Sequence, residues 1–179
     1  MRVTRIAYAV DGWGVGELWL GDGRIVLAHE APHDAPREPP TPPRGATKPP
    51  SGTLSANSAA DSDGFVPDLV RRIHSFFAGE PVSFADVELD LEWCTPFQHA
   101  VASQLRAVPW GEVVSYGELA DRAGYPRAGR AAGSFCAHNR FFLLVPCHRV
   151  VASDGIGSYG AAGVGFKRRL LRLERHASL

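Results

Sequence analysis

The first thirty residues alternate short runs of apolar and β-branched residues with segments rich in Gly and Asp. Residues 5–10, 16–20 and 25–29 have the composition of strands, and segments 11–15 and 21–23 separate them. This spacing predicts a three-stranded meander. A phosphate-binding loop is the alternative for such a glycine cluster, but no Lys-Ser or Lys-Thr pair and no helical pattern follow it. The pattern therefore favours turns.

The pattern is lost between residues 31 and 64. Of the 14 prolines, 8 lie from Pro32 to Pro50, and a stretch rich in Ser, Ala, Gly and Asp follows them. Such a segment cannot bury enough apolar surface to offset the entropy that ordering would cost. We therefore predict a disordered, flexible insertion at residues 31–64.

Regular patterns return after the insertion. Apolar residues at helix spacing predict a helix from about Pro67 to Gly79, with its apolar face over the sheet. Alternation from Phe84 to Leu91 then predicts an extended segment that leads to a boundary near Trp93. Residues 1–92 are therefore predicted to form a small N-terminal α/β domain with an antiparallel sheet.

The second half of the chain has helix-start signals. Thr95–Gln98 and Ser115–Glu118 each have the sequence of a capping box. The second of these opens a short helix that ends at Gly124, and another helical stretch follows over Arg127–Ala137. Two short helices at this spacing are typical of a helix-turn-helix, although a plain αα-hairpin would give the same pattern. We predict a mainly helical, winged-helix-like domain over 93–179.

The composition of the second of these helices favours a nucleic-acid surface. Arg127 and Arg130 accompany the small residues Ala131, Gly133 and Ser134, and such a surface lets a helix approach a groove closely. The same small residues would also suit tight packing against a core, so both interpretations stay open. The charge distribution favours the nucleic-acid surface, because residues 96–179 carry 11 Lys/Arg against 5 Asp/Glu.

Composition limits the remaining possibilities. At 179 residues and 45% hydrophobic content the chain can bury a core, which excludes wholesale disorder and fibrous architectures. Its 3 cysteines are too scattered for a disulfide scaffold or a zinc site, and an odd count leaves a free thiol. Neither a signal peptide nor a membrane span is evident. We expect a soluble, cytoplasmic protein without a metal, a cofactor or a membrane partner.

Among the cysteines, Cys147 has the most reactive setting. The apolar run 141–145 predicts a buried strand that ends in Pro146, and His148 and Arg149 follow the thiol. A thiol at a strand end beside these two side chains is placed to be a nucleophile of lowered pKa. A structural buried cysteine is the alternative from the residues alone.

The segment Pro146–Val151 resembles the active-site signature of the O6-alkylguanine-DNA alkyltransferases, the methylated-DNA–protein-cysteine methyltransferases. Segments 95–98, 108–120 and 130–133, together with Asn139, follow in the order and spacing of that family. The resemblance covers about Thr95 to Glu174. It implies single-turnover DNA repair, in which a monomer transfers the alkyl group of O6-alkylguanine in double-stranded DNA to its own cysteine.

The resemblance also implies roles at the reaction centre. Cys147 would accept the alkyl group, and His148 would act as its base through a water molecule while Glu174 orients the imidazole. Tyr116 would donate a hydrogen bond to the leaving guanine. Asn139 would tie the helix-turn-helix to the cysteine loop.

The family pattern further implies a DNA surface. Arg130 would fill the gap left by the flipped guanine, and the helix carrying Ala131, Gly133 and Ser134 would lie in the minor groove with Arg127 beside it.

A substrate pocket completes the roles that the resemblance implies. The carbonyl of Val150 would bind the exocyclic amine of guanine, Arg149 would belong to the pocket, and Tyr159 with Gly160 would line its lid.

Two residues depart from the family pattern on the groove side. Arg140 replaces the usual Pro after the asparagine, and Phe135 replaces a small residue on the recognition helix. The alternatives in function are a non-enzymatic alkylguanine sensor and a helix-turn-helix regulator. Cys147 favours the enzyme, because the reactive position of such sensors is not cysteine.

Overall fold

Three antiparallel strands open the chain and confirm the predicted meander. A computed structural model describes residues 1–33 and 64–175. The strands are β1 (Val3–Val10), β2 (Gly14–Gly21) and β3 (Ile25–His33), in the order β1-β2-β3. In the pairing of β1 with β2, Ile6 lies opposite Leu18.

Helix α1 (Phe65–Phe77) belongs to the same compact unit as the sheet, which contains the described residues of 1–80 together with 86–90. The imidazole Nε2 of His74 lies 2.9 Å from the carbonyl oxygen of Ala9 and links α1 to β1. The core of this unit consists of fully buried side chains from the sheet and the helix, among them Leu18, Leu20, Val26, Leu69 and Ile73.

Two predictions for this unit need correction. Strand β3 continues to His33 and Gly64 is the N-cap of α1, so residues 31–33 and Gly64 do not belong to an insertion. The remaining residues of that prediction, 34–63, lie outside the described residues. The predicted extended segment 84–91 is not extended throughout, because residues 85–87 form a turn and a bend; Leu89, beyond them, forms a parallel bridge with Val26. The domain boundary at residue 92 stays a prediction.

The second unit contains residues 81–85 and the described residues of 91–179. Its elements in chain order are α2 (Pro96–Arg106), β4 (Val114–Ser115), α3 (Tyr116–Arg122), α4 (Gly129–Ala137), a 3-10 turn (Cys147–Arg149), β5 (Val150–Val151), a second 3-10 turn (Gly160–Ala162) and α5 (Gly163–Leu173). Both predicted capping boxes form, with the Thr95 and Ser115 side chains accepting from the backbone N–H three residues on. Strands β4 and β5 pair in parallel.

Helices α3 and α4 form the predicted helix-turn-helix. Their close approach favours glycine at position 129, because a Cβ there would lie only 3.2 Å from the backbone nitrogen of Gly117. Helix α4 begins at Gly129, two residues later than predicted. Arg127 therefore lies in the turn, with a left-handed φ of 69°.

The apolar run 141–145 is a buried turn and not the strand that the sequence predicts. Short hydrogen bonds close it, from Leu144 N to Phe142 O at 2.8 Å and from Val145 N to Phe141 O at 2.9 Å. Leu143 adopts a left-handed φ of 62°, which no strand tolerates. A short apolar run indicates burial but does not by itself distinguish a strand from a turn.

Candidate active site

The Cys147 thiol lies at the start of the 3-10 turn that follows this buried loop. Pro146 precedes Cys147. The backbone N–H of Cys147 donates to Val145 O at 2.8 Å. The residue is 7% exposed, so its sulfur is almost removed from water.

Asn139 holds the loop and the sulfur together. Its Nδ2 donates to Val145 O at 2.7 Å and to the Cys147 Sγ at 3.2 Å. Its Oδ1 accepts from Phe141 N at 3.0 Å. This side chain directly follows the end of α4, so it links the helix-turn-helix to the cysteine loop.

The sequence prediction of a lowered thiol pKa is wrong for the resting protein. Burial raises the pKa of Cys147, because a thiolate loses solvation in the interior. Hydrogen bonds from Asn139 and Tyr159 and the charge of Lys167 oppose this effect. The resting thiol is therefore protonated, and these groups are positioned to stabilise the thiolate once it forms.

Tyr159, predicted to line the lid of the pocket, contacts the thiol directly. Its hydroxyl shares a hydrogen bond with Cys147. Its ring stacks on Phe166 of α5, with a centroid distance of 6.4 Å. Gly160, the other predicted lid residue, is exposed at the start of the second 3-10 turn.

His148, Arg149 and Glu174 form a buried cluster below the thiol-bearing turn. The imidazole Nε2 of His148 lies 2.7 Å from Glu174 Oε1. Arg149 donates through Nε to Glu174 Oε2 at 3.0 Å and through Nη2 to Oε1 at 2.9 Å. Its Nη1 donates to Val108 O at 2.6 Å. The Arg149 side chain, assigned from sequence to the substrate pocket, thus binds Glu174 instead.

The electrostatics of this cluster suit a neutral imidazole beside a carboxylate. Burial alone would raise the pKa of Glu174, but hydrogen bonds and charges from His148 and Arg149 lower it to about 2. Burial lowers the pKa of His148, and Glu174 opposes this only in part. Because the carboxylate can only accept, Nε2 carries the imidazole proton and the basic lone pair is on Nδ1.

Tyr116, at the start of α3, lies between two glycines. A Cβ on Gly133 would come within 3.7 Å of its ring, and one on Gly157 within 3.4 Å. Gly157 also has a φ of 71°, so glycine is favoured there on two grounds. Burial raises the pKa of Tyr116, which keeps the hydroxyl protonated and able to donate.

Lys167, on α5, is a site residue to which the sequence analysis assigned no role. Its Nζ donates to the carbonyl oxygens of Val150 and Ile156, each at 2.6 Å, and of Ser158 at 3.2 Å. It therefore ties the loop after β5 to β5 itself. The Val150 carbonyl, expected to bind guanine, already accepts one hydrogen bond.

The outward face of α4 carries the residues predicted to contact DNA. Arg130, Ala131 and Ser134 are exposed, and Gly133 is half-buried against Tyr116. Phe135 is 6% exposed and points into the unit, so its bulk does not alter the outward face.

Metal and membrane features were also sought. Nowhere in residues 1–33 and 64–175 do three or more His, Cys, Asp and Glu side chains group as potential metal ligands. Over the same residues, no helix has the length and apolar character that a membrane crossing requires.

Comparison with known proteins identifies the family to which this geometry belongs. Residues 96–176 match the family model described as the 6-O-methylguanine DNA methyltransferase, DNA binding domain. A methylated-DNA–protein-cysteine methyltransferase of Mycobacterium tuberculosis strain H37Rv is 47% identical over 113 residues, which cover 63% of this chain and 67% of the relative. The protein of that name from Metallosphaera sedula is 39% identical over 117 residues, covering 65% and 72%.

Solved structures agree with this assignment. The O6-methylguanine methyltransferase of M. tuberculosis superimposes with a TM-score of 0.71 at 32% identity, over 99% of this chain and 95% of the other. The M. tuberculosis OGT protein in complex with DNA gives a TM-score of 0.73 at 33% identity, over 96% and 92%. The fold and site therefore define a helix-turn-helix protein built around a buried thiol. The chain belongs to the methylated-DNA–protein-cysteine methyltransferase family.

The contacts of Asn139 give a first prediction. Asn139→Ala removes the partners of Val145 O and Phe141 N, and we expect a loss of about 3 kcal/mol in the free energy of unfolding. The variant also loses a hydrogen bond that lowers the pKa of Cys147, so alkylation of the thiol by iodoacetamide should need a higher pH. Urea denaturation and the pH profile of alkylation measure the two effects. Ser103→Ala, an exposed change on α2, is the control, and a loss no larger than the control's would contradict the prediction.

The buried cluster gives a second prediction, on pH. The pKa of His148 is lowered below its ordinary 6.5, so its contribution to stability is present above pH 6.5 and is lost as pH falls below it. The pKa of Glu174 falls from 4.5 to about 2, so its contribution is lost between those values. We expect the urea midpoint of unfolding to decrease from pH 7 to pH 4.5 because of His148, and to decrease again below pH 4.5 because of Glu174.

Glu174→Gln should lower stability at neutral pH by about 3 kcal/mol, since it leaves Arg149 buried without its counter-charge. It should also flatten the part of the profile below pH 4.5. Glu112→Gln removes an exposed carboxylate and serves as the matched control. If the urea midpoints of the unaltered protein, Glu174→Gln and Glu112→Gln changed with pH in parallel, Glu174 would not be the source of the pH dependence below pH 4.5.

Proposed function

We propose that this protein repairs DNA by transferring the alkyl group of O6-alkylguanine in a duplex to Cys147, once per molecule. The observation that carries the proposal is the buried Cys147 thiol, held by Asn139 and Tyr159 next to the His148–Glu174 pair, in a chain of this family. The reaction needs no cofactor, because the sulfur itself bonds to the alkyl carbon and the thiol proton ends on the released guanine.

Deprotonation of the thiol begins the reaction. The resting thiol is protonated, and His148 is neutral with its basic lone pair on Nδ1. The thiol proton passes to Nδ1 through a water molecule, and Glu174 stabilises the imidazolium that forms. Asn139 and Tyr159 stabilise the thiolate by hydrogen bonds.

Alkyl transfer is a displacement at carbon. The sulfur forms a bond to the alkyl carbon while the bond from that carbon to O6 breaks and leaves its electron pair on the base. Tyr116 donates a hydrogen bond to the base as negative charge develops on it. The base then takes up the proton held by His148, so guanine is restored and Cys147 ends as a stable thioether.

Access to O6 requires the guanine to leave the stack. Helix α4 would lie in the minor groove, with its small outward residues Ala131 and Ser134 against the sugars and Gly133 allowing close approach. Arg130 would enter the vacated stack, and Arg127 in the turn would contact phosphate. The Val150 carbonyl would bind the exocyclic amine of the flipped base, with Tyr159 and Gly160 beside the pocket.

Assembly and compartment follow from the same chemistry. The side chains around Cys147 all come from a single chain, so no second copy is needed to complete the site and we expect a monomer. All 3 cysteines are free thiols in the structure, which favours the reducing cytoplasm.

A third prediction tests the acceptor. Incubation with a duplex containing O6-methylguanine should add one methyl group per chain, measured by intact mass, and peptide mapping should place it on Cys147. Cys136 is the internal comparison, because burial raises the pKa of that thiol well above its ordinary value. Cys147→Ala should still bind the duplex while losing transfer. Methylation of Cys94 or Cys136, or more than one equivalent transferred, would disprove the assignment.

A fourth prediction concerns Arg130. If its guanidinium occupies the vacated stack, Arg130→Ala should slow repair of a duplex far more than reaction with free O6-benzylguanine. The reason is that unstacking costs a few kcal/mol in the duplex and nothing for the free base. Single-turnover rates on the two substrates measure this difference.

Arg130→Lys is the control, because it keeps the charge and loses the planar group. Near-normal duplex repair by this variant would show that Arg130 contacts phosphate and does not fill the stack. Equal losses on duplex and free base would instead indicate damage to the Cys147 pocket.

A further inference from the structure

The short loop segment Ile156–Ser158 is held in place from the side of α5. The Nζ of Lys167 donates to Ile156 O at 2.6 Å and to Ser158 O at 3.2 Å. Lys167 is fully buried, and two of the three donors of its ammonium thus bind carbonyl groups on either side of Gly157. The backbone of this segment therefore has a fixed position in the resting protein.

Tyr116 lies against the same loop segment. A Cβ on Gly157 would lie 3.4 Å from Cε2 of the Tyr116 ring, so the ring packs on the loop backbone. Next to this contact, the side chain of Ser158 forms a hydrogen bond with the Tyr116 hydroxyl. Burial raises the pKa of Tyr116, and the hydrogen bond with Ser158 opposes that rise. A hydrogen bond that favours the ionised phenol is donated to its oxygen, so Ser158 is the donor.

The direction of this hydrogen bond decides what Tyr116 can do. A phenolic oxygen can accept one hydrogen bond while its own O–H group donates another. Because Ser158 donates to the oxygen, the proton of Tyr116 is left for a different acceptor. Hydrogen bonds in such a chain polarise one another, so a Tyr116 that accepts from Ser158 is a stronger donor. The gain is larger when the acceptor becomes negatively charged.

We propose that Ser158 is a positioning residue for alkyl transfer, whose hydroxyl donates to the Tyr116 oxygen and directs the Tyr116 proton to the leaving guanine. Lys167 supports this role, because it holds the backbone that carries Ser158. The inference rests on the proposed function, in which Tyr116 donates to the base. Ser158 is exposed and does not belong to α4, so its removal should change the rate of transfer without changing the fold or the affinity for the duplex.

The experiment uses the full chain in excess over a duplex that contains O6-methylguanine and measures the single-turnover rate and the Kd separately. Ser158→Ala should slow transfer about threefold to tenfold, the effect of one hydrogen bond, and should leave the Kd unchanged. Ser158→Thr keeps a hydroxyl and should retain most of the rate. Ser153→Ala, which removes a hydroxyl from an exposed position in the same loop, is the matched control and should react normally.

A second pair of measurements separates this role from a purely structural one. Tyr116→Phe removes the acceptor, so adding Ser158→Ala to it should slow transfer little further, because the two hydroxyls act as a pair. Alkylation of Cys147 by iodoacetamide releases no guanine, and its rate should be the same in Ser158→Ala as in the unaltered chain. Equal slowing by Ser158→Ala with and without the Tyr116 hydroxyl, or a parallel loss of iodoacetamide alkylation, would overturn the inference.

The same measurements distinguish a failure of this inference from a failure of the proposed function. If the unaltered chain transfers a methyl group and Ser158→Ala does so at the rate of Ser153→Ala, only the role of Ser158 is wrong. If the unaltered chain transfers no methyl group from the duplex, the proposed function itself is overturned.

Discussion

The buried carboxylate of Glu174 joins the elements on which the site depends. It follows α5 and accepts hydrogen bonds from Gly111 N at 3.2 Å and from the side chain of Arg149, and it pairs with His148. A carboxylate without water is tolerated only when donors and opposite charge surround it. Satisfying Glu174 therefore fixes the end of α5, the turn that carries Cys147 and the segment before β4 relative to one another.

Burial acts in opposite directions on the two groups that would exchange a proton. It raises the pKa of the Cys147 thiol and lowers that of His148, so both are uncharged at rest. The thiolate then depends on hydrogen bonds from Asn139 and Tyr159 for its stability. A buried, protonated thiol is a weak nucleophile, so the resting site holds Cys147 in its unreactive form.

The small residues of α4 divide between a packed inward side and an exposed outward side. On the inward side, Gly129 allows contact with Gly117, and Ala132 is fully buried. On the outward side, Ala131 and Ser134 are exposed and form a smooth face for a groove. Packing against the core and a contact surface on the outward side are therefore compatible on the same helix.

The sequence by itself determined the elements whose signals are local. The capping boxes at Thr95 and Ser115 form because each partner is three residues away, and the strand meander follows from alternation and turns. Only the tertiary structure decided the turn at 141–145, the pairing of Arg149 with Glu174 25 residues away, and the carbonyl contacts of Lys167. Hydrogen-bond partners distant in sequence are chosen by packing, and residue type states only that a buried charge must find one.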